Sequence, residues 1–151
     1  MEDKEDPCKY SPERGVDYYA AGLAGLLRVI VGSGQRSTHA YVKDVRKALE
    51  TLVFTVWDKY EEYLDVIAES NIPDSLRSPK ARECFRDLLV GLLRRFRETA
   101  DSVPIGARIR LMNMVISAIA EMARYNLPPT GVMIKNYVFS RKDESEGGGG
   151  K

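Results

Sequence analysis

The sequence is poor in the residues on which most catalytic and metal sites depend. It has one histidine, His39, and two cysteines, Cys8 and Cys84, among 151 residues. The cysteines are far apart and lack CxxC spacing, which excludes a cysteine-based zinc site. Whether they pair is left open, since inside a cell a disulfide is expected only in a hyperthermophile. No nucleophile stands at a recognisable spacing from a base. We therefore expect a protein that is not an enzyme and that holds no metal and no cofactor.

Long hydrophobic runs and a dominant charge are also missing. No segment approaches the roughly 20 apolar residues that cross a bilayer, and the acidic start MEDKED is unlike the basic start of a signal peptide. The formal net charge is +1, which disfavours direct nucleic-acid binding, because that binding draws mainly on phosphate neutralisation. These features predict an intracellular protein with no membrane partner.

The stretch VIVGSGQRST (29–38) has the composition of a phosphate-binding loop. Such a loop needs a strand before it, a helix after it and a lysine that reaches the phosphates. Here Gln35 or Arg36 stands where the lysine belongs, and the preceding AAGLAGLLRVIV has helical periodicity. The glycines are therefore predicted to form a turn between two helices and not a nucleotide site.

Apolar residues recur at intervals of three and four along most of the chain, which predicts an all-α protein. The expected helices run over 17–31, over about 30 residues from Ser37-Thr38 to Ile67, from Pro79 behind the N-cap Ser78, and over 105–125. The last of these has the widest apolar stripe and is predicted to be the most buried. Four amphipathic helices with short links predict a four-helix bundle.

The predicted organisation has three parts: an acidic, extended N-terminal arm (1–16), the bundle (17–125) and a C-terminal tail (126–151). In the tail, VMIKNYVF (132–139) is apolar and β-prone. It either folds back on the bundle, which we favour, or forms an arm that docks on another molecule. The final SRKDESEGGGGK is predicted to be disordered.

Basic side chains are the strongest candidates for contact with a partner. Residues 76–124 carry ten bases against five acids, whereas residues 1–13 carry five acids against two lysines. The candidate partner-binding residues are Arg82, Arg86, Arg97, Lys135, Arg141 and Lys142. The arginines share one flank of the third helix with aliphatic residues, and arginine binds carboxylate or phosphate bidentately. The alternative for this flank is a solvated helix face with intrahelical ion pairs.

The opening KYSPERGVDYYAAG, followed after a helix by GSGQ, resembles the opening of a family of small helical-bundle proteins from archaeal two-tailed viruses, the bicaudaviruses. The match spans about a fifth of the chain and is carried by Lys9, Tyr10, Pro12, Gly15, Asp17, Tyr18, Gly22, Gly34 and Gln35. The family has two roles. One is a virion component related in fold to coat proteins of filamentous archaeal viruses. The other is an inhibitor that enters the DNA-binding channel of the host RNA polymerase and restrains its clamp.

The resemblance implies a four-helix bundle that acts in the cytoplasm of an archaeal host. Longer, arginine-rich third and fourth helices and the acidic first residues favour the inhibitor over the coat-like protein. An acidic arm could take the place of DNA phosphates, and the arginines could meet acidic polymerase surfaces. The expected partner is therefore the host RNA polymerase, at its clamp and DNA channel. A structural virion protein is the first alternative and a DNA-binding repressor the second. The matching residues lie in the shared opening, so the resemblance assigns no site residue.

Overall fold

A computed structural model describes residues 6–33 and 38–140, and these residues form helices joined by turns. Within these ranges there is no strand, and the all-α class is confirmed for this part of the chain. The six α-helices are α1 (Val16–Ser33), α2 (Thr38–Phe54), α3 (Tyr60–Ser70), α4 (Pro79–Thr99), α5 (Ile105–Arg124) and α6 (Pro129–Phe139). The described part of the chain thus has two helices more than the predicted four-helix bundle.

The described beginning of the segment VIVGSGQRST (29–38) is the end of α1. α1 continues through Gly32 to Ser33, so a helix stands where a nucleotide site would need a strand. The predicted turn and cap residues Gly34, Gln35, Arg36 and Ser37 lie outside the described residues.

The first additional helix arises because the long second helix of the prediction is broken. α2 ends at Phe54, and the amides of Thr55 and Val56 both donate to the carbonyl oxygen of Thr51, at 3.0 and 3.2 Å. The second of these bonds spans five residues, whereas a regular α-helical bond spans four. The regular hydrogen-bond pattern of α2 therefore ends here. A short 3-10 turn then leads into α3.

Trp57, the first residue of that turn, explains the break. Its indole is buried and meets the ring of Phe96 edge to face at 6.4 Å, and the guanidinium groups of Arg97 and Arg108 lie over it at 4.5 and 4.1 Å. A continuous helix would fix the direction of α3, whereas the break lets α2 pack mainly on α5 and α3 on α4. Hydrophobic periodicity cannot reveal this, because both halves keep an apolar stripe.

α4 begins where the sequence predicts. The hydroxyl of Ser78 accepts a hydrogen bond from the Ala81 amide at 3.2 Å, and Pro79 occupies the first turn, where its missing N–H is harmless. The N-cap assignment is confirmed.

The most buried helix is α1 and not α5. Every residue from Tyr19 to Leu27 is buried, and α1 packs against α4, α5 and α6. α5 buries only one narrow row, of Met112, Ile116, Ile119 and Ala123, while Met114 is 65% exposed. The prediction for the 105–125 helix is therefore wrong, because one flank of its wide apolar stripe lies outside the core.

The second additional helix is α6, formed by the apolar tail segment. The segment folds back onto α1 as a helix and buries Ile134 and Val138. α1 and α6 meet at Gly25 and Gly131. A Cβ atom on Gly25 would lie 2.3 Å from the carbonyl oxygen of Gly131. The helices can approach this closely only because neither glycine has a side chain. Residues 141–151, predicted to be disordered, lie outside the described residues.

The described part of the N-terminal arm, residues 6–15, is tied to α4. Cys8 forms a disulfide with Cys84 across 76 residues of sequence. One helical turn further along α4, the ε-amino group of Lys9 lies 3.0 Å from a carboxylate oxygen of the buried Asp87. The Asp87 carboxylate raises the pKa of Lys9 above its ordinary value of 10.5. The pair therefore contributes its full stability below pH 10.5 and loses it as the pH rises through the raised pKa.

Tyrosines on α1 hold the same segment from the other side. The Tyr18 hydroxyl donates to the carbonyl oxygen of Pro7 at 2.5 Å. The Tyr19 hydroxyl accepts from the Ser11 amide at 2.9 Å and donates to the Ser11 carbonyl at 3.1 Å. Burial raises the pKa of both tyrosines above 10.0, so their hydroxyls stay protonated and keep donating. This part of the arm is a packed element of the fold.

We expect the Cys8→Ser/Cys84→Ser variant to lose about 4 kcal/mol of the free energy of unfolding, because the bond closes a long loop in the unfolded chain. Chemical denaturation of the oxidised wild type and the variant measures the loss. Reductant should lower the wild-type midpoint to that of the variant and leave the variant unchanged. A wild-type midpoint that does not respond to reductant would contradict the pairing.

We expect Gly25→Ala to lower the free energy of unfolding by about 3 kcal/mol, since the new methyl group forces α1 and α6 apart. Gly106→Ala is the matched control: its Cβ would meet nothing closer than an Arg110 nitrogen at 3.9 Å. It should be neutral or stabilising by less than about 1 kcal/mol. Denaturation curves give both values, and amide exchange should show faster opening of α6 in Gly25→Ala. Equal stability of the two variants would show that the crossing is not tight.

Candidate partner-binding surfaces

The three arginines predicted to contact a partner all bind groups of this chain. Arg82 donates to the carbonyl oxygens of Pro73 and Leu76 at 3.1 and 2.9 Å, which fixes the loop between α3 and α4. The two carbonyl groups belong to a turn with few backbone hydrogen bonds of its own, so the guanidinium group stabilises this turn.

Arg86 joins α3 to α4. Its guanidinium lies 2.9 Å from Glu69 and 3.5 Å from Asp65 on α3, and 2.8 Å from Asp87 on its own helix. Together with Lys9, it supplies positive charge to the carboxylate of Asp87, which is only 7% exposed. Removing a cation from a buried carboxylate is costly, so Arg86 has a structural role.

Arg97 anchors the break between α2 and α3. Its Nε donates to the carbonyl oxygen of Trp57 at 2.7 Å, and its guanidinium lies over the rings of Trp57 and Tyr60 at 4.5 and 4.9 Å. It also pairs with Asp101, four residues further along the chain and just beyond the end of α4. The side chain is 14% exposed.

The second basic cluster of the prediction is described only in part. Lys135 lies half-buried on α6. Arg141 and Lys142 lie outside the described residues. A role of all six basic residues in partner binding stays a prediction, and for the three arginines the internal contacts already account for their presence.

α3 and the 3-10 turn before it carry an acidic surface, whereas all the candidate residues predicted from the sequence are basic. Five acids are exposed within twelve residues: Asp58, Glu61, Glu62, Asp65 and Glu69. Lys59 is the one base among them. On the flank that faces α4, Arg94 pairs with Glu61 at 3.0 Å, and Arg86 pairs with the acids further along. We call the five acids the acidic face.

The outer part of the acidic face is free of such pairing. Asp58 and Glu62 form no salt bridge with any residue that the structure describes. Tyr63 and Val66 lie exposed beside them, at 38% and 55%. Carboxylates beside an exposed aromatic and an exposed aliphatic side chain can meet a basic protein surface through both charge and apolar contact. The sequence signal for this surface is the high density of acids between residues 58 and 69.

A second surface feature is an apolar groove between α1, the end of α4, α5 and the start of α6. Its volume is about 690 Å³, and Asp17 is the one charged residue in its lining. Apolar lining side chains include Val16, Leu111, Met114, Val115, Met122 and Pro128. Sequence reasoning missed it because the whole apolar stripe of α5 was assigned to the core.

Within residues 6–33 and 38–140, no three histidine, cysteine, aspartate or glutamate side chains are grouped so as to hold a metal ion. His39 lies exposed in the first turn of α2. None of the helices in the described ranges has the length and apolar character needed to span a membrane.

Comparison with known proteins gives no match for this chain among protein-family models, curated proteins or solved structures. The acidic face, the apolar groove and the N-terminal opening are the features of this chain that bear on its function.

We expect Arg97→Gln to lower the free energy of unfolding by about 2 kcal/mol, because it removes a bond to a backbone carbonyl and the stacking on two rings. Arg77→Gln, at an exposed arginine before α4, is the matched control and should change stability by less than about 0.5 kcal/mol. Thermal denaturation compares the two. An Arg97→Gln variant with wild-type stability but weaker partner binding would show that Arg97 contacts the partner.

Proposed function

We propose that the protein is a viral inhibitor of transcription that acts by binding and not by catalysis. It binds the RNA polymerase of an archaeal host in the channel that holds DNA and restrains the clamp. The observation that carries the proposal is the acidic face, whose five acids are all exposed and three of which pair with arginines of α4. The resemblance of the N-terminal opening supports RNA polymerase as the partner.

The acidic face is suited to such a channel for an electrostatic reason. A channel that holds DNA must be basic, since it neutralises phosphate groups. Glu62, Asp65 and Glu69 repeat along α3 at roughly one helical turn, about 5.4 Å, apart, and Asp58 precedes them in the 3-10 turn. A polyanionic helix of this kind competes with DNA for the same cations, and electrostatic attraction speeds its association.

The element that takes the place of DNA is then α3, whereas the sequence alone predicts the N-terminal arm. Residues 6–15 are packed on α1 and α4, and residues 1–5 lie outside the described residues. The arginines of α4 then have an indirect role: Arg86 and Arg94 hold carboxylates of α3 in place, so that the face does not have to be ordered on binding. Such preorganisation lowers the entropic cost of association.

A structural virion protein is the second candidate, and the exposed apolar side chains of α5 and the adjoining groove favour it. That function predicts self-assembly, or filaments on addition of DNA, and no affinity for polymerase. A filament assay by electron microscopy beside the polymerase assay separates the two functions.

We expect the purified protein to co-elute with archaeal RNA polymerase at micromolar concentration and to inhibit promoter-dependent transcription in vitro. The Asp58→Lys/Glu62→Lys variant should bind about tenfold more weakly, a loss of about 1.4 kcal/mol, because it reverses the two unpaired charges of the acidic face. Binding should weaken steeply with salt.

The matched control is Asp74→Lys/Glu83→Lys, which reverses two exposed acids away from α3 and should bind like wild type. Co-elution that fails for the wild type would remove the proposed function. Wild-type affinity in the α3 variant would leave polymerase binding in place but exclude the acidic face as its site.

A further inference from the structure

One exposed face of α5 combines apolar, small and charged residues in a fixed order. Its residues fall within about 100° of the helix circumference. They are Arg110, Met114, Ser117, Ala118 and Glu121, with Tyr125 directly after the end of the helix, and all six are exposed. Met114, at 65%, and Tyr125, at 53%, are among the most exposed large side chains in the described part of the chain. We call these six residues the α5 face.

The α5 face is bounded by α2 on one side and opens into the apolar groove on the other. On the first side Asn113 accepts a hydrogen bond from Arg46 of α2 at 3.3 Å. On the second side Met114 and Ala118 of the face line the groove together with Leu111 and Met122. Neither Arg110 nor Glu121 takes part in a salt bridge between residues that the structure describes.

The order of the residues makes the α5 face complementary to itself. Arg110 and Glu121 lie about three turns apart, with Met114 and the small residues between them. If two α5 helices run antiparallel about a twofold axis that passes between Val115 and Ile116, Arg110 of each copy faces Glu121 of the other. In the same register Met114 of each copy faces Ser117 of the other, where a small side chain leaves room for it.

We propose that the α5 face binds the α5 face of a second copy, antiparallel, to form a twofold symmetric dimer. Opposite charges at both ends fix the direction and the register, since a parallel pair would place Arg110 against Arg110. The two Met114 side chains, long and adaptable, fill the centre. This is an isologous interface, in which every contact occurs twice.

The dimer should be weak. α5 is 20 residues long, about 30 Å, and a single pair of such helices buries less surface than the ~1,200–2,000 Å² of stable interfaces. We therefore expect a dissociation constant on the order of 10–100 µM. The inference is independent of the proposed binding to polymerase, which uses α3.

The experiment is sedimentation equilibrium on the full chain from about 1 to about 500 µM, a range that brackets this constant. Arg110→Glu and Glu121→Arg should each weaken dimerisation about tenfold or more, because each change places like charges together at both ends of the interface. The double variant Arg110→Glu/Glu121→Arg should recover to within about threefold of wild type, since the charges are only exchanged.

Met114→Lys should abolish the dimer, whereas Met133→Lys, at a 44% exposed methionine on α6, should not change it. Circular dichroism and thermal melting of every variant verify that the fold is retained. A wild type that stays monomeric over the whole range overturns the proposal, and so does a double variant that fails to recover. A monomeric wild type whose Met114→Lys variant loses polymerase binding would instead assign the α5 face to a different partner.

Discussion

The structure depends on the close approach of other elements to α1. Gly25 meets the backbone of Gly131 on α6, and the ring of Tyr19 fills the space where Gly91 of α4 would otherwise carry a side chain. Glycine within a helix costs up to about 1 kcal/mol relative to alanine, so these positions lower intrinsic helicity. In return the helices pack closely enough to bury α1 from Tyr19 to Leu27, and α4, α5 and α6 take their places around it.

Three of the residues that carry the viral resemblance, Lys9, Tyr10 and Tyr18, have structural roles in this chain. Lys9 pairs with Asp87, Tyr10 stacks on Tyr19 at 6.2 Å, and Tyr18 holds Pro7. With the disulfide between Cys8 and Cys84, they fasten the N-terminal segment to α1 and α4. Contacts of this kind close the bundle and do not determine what its outer surface binds. Function has to be sought on surfaces that these contacts do not reach.

The contacts between α3 and α4 determine which charged side chains are paired in this region of the protein. Arginines that stand out in the sequence as a binding stripe are used to hold α3, and the exposed charge that results is negative. Arg86 illustrates the exchange, since its guanidinium meets Glu69 and Asp65 on α3 and Asp87 on α4. A surface predicted from one helix alone can therefore have the opposite sign once its neighbour is in place.

Periodicity and capping act among residues near one another, and they suffice to predict the all-α class, the start of α4 at Ser78 and Pro79 and the extent of α5. Only packing in three dimensions produces the break at Trp57, the pairing of Cys8 with Cys84 and the central position of α1. The partners in these contacts are distant in the chain, 40 residues for Arg97 and Trp57 and 76 for the cysteines. Local sequence patterns do not specify which distant residue packs into a given space. That choice depends on the packing of the whole chain.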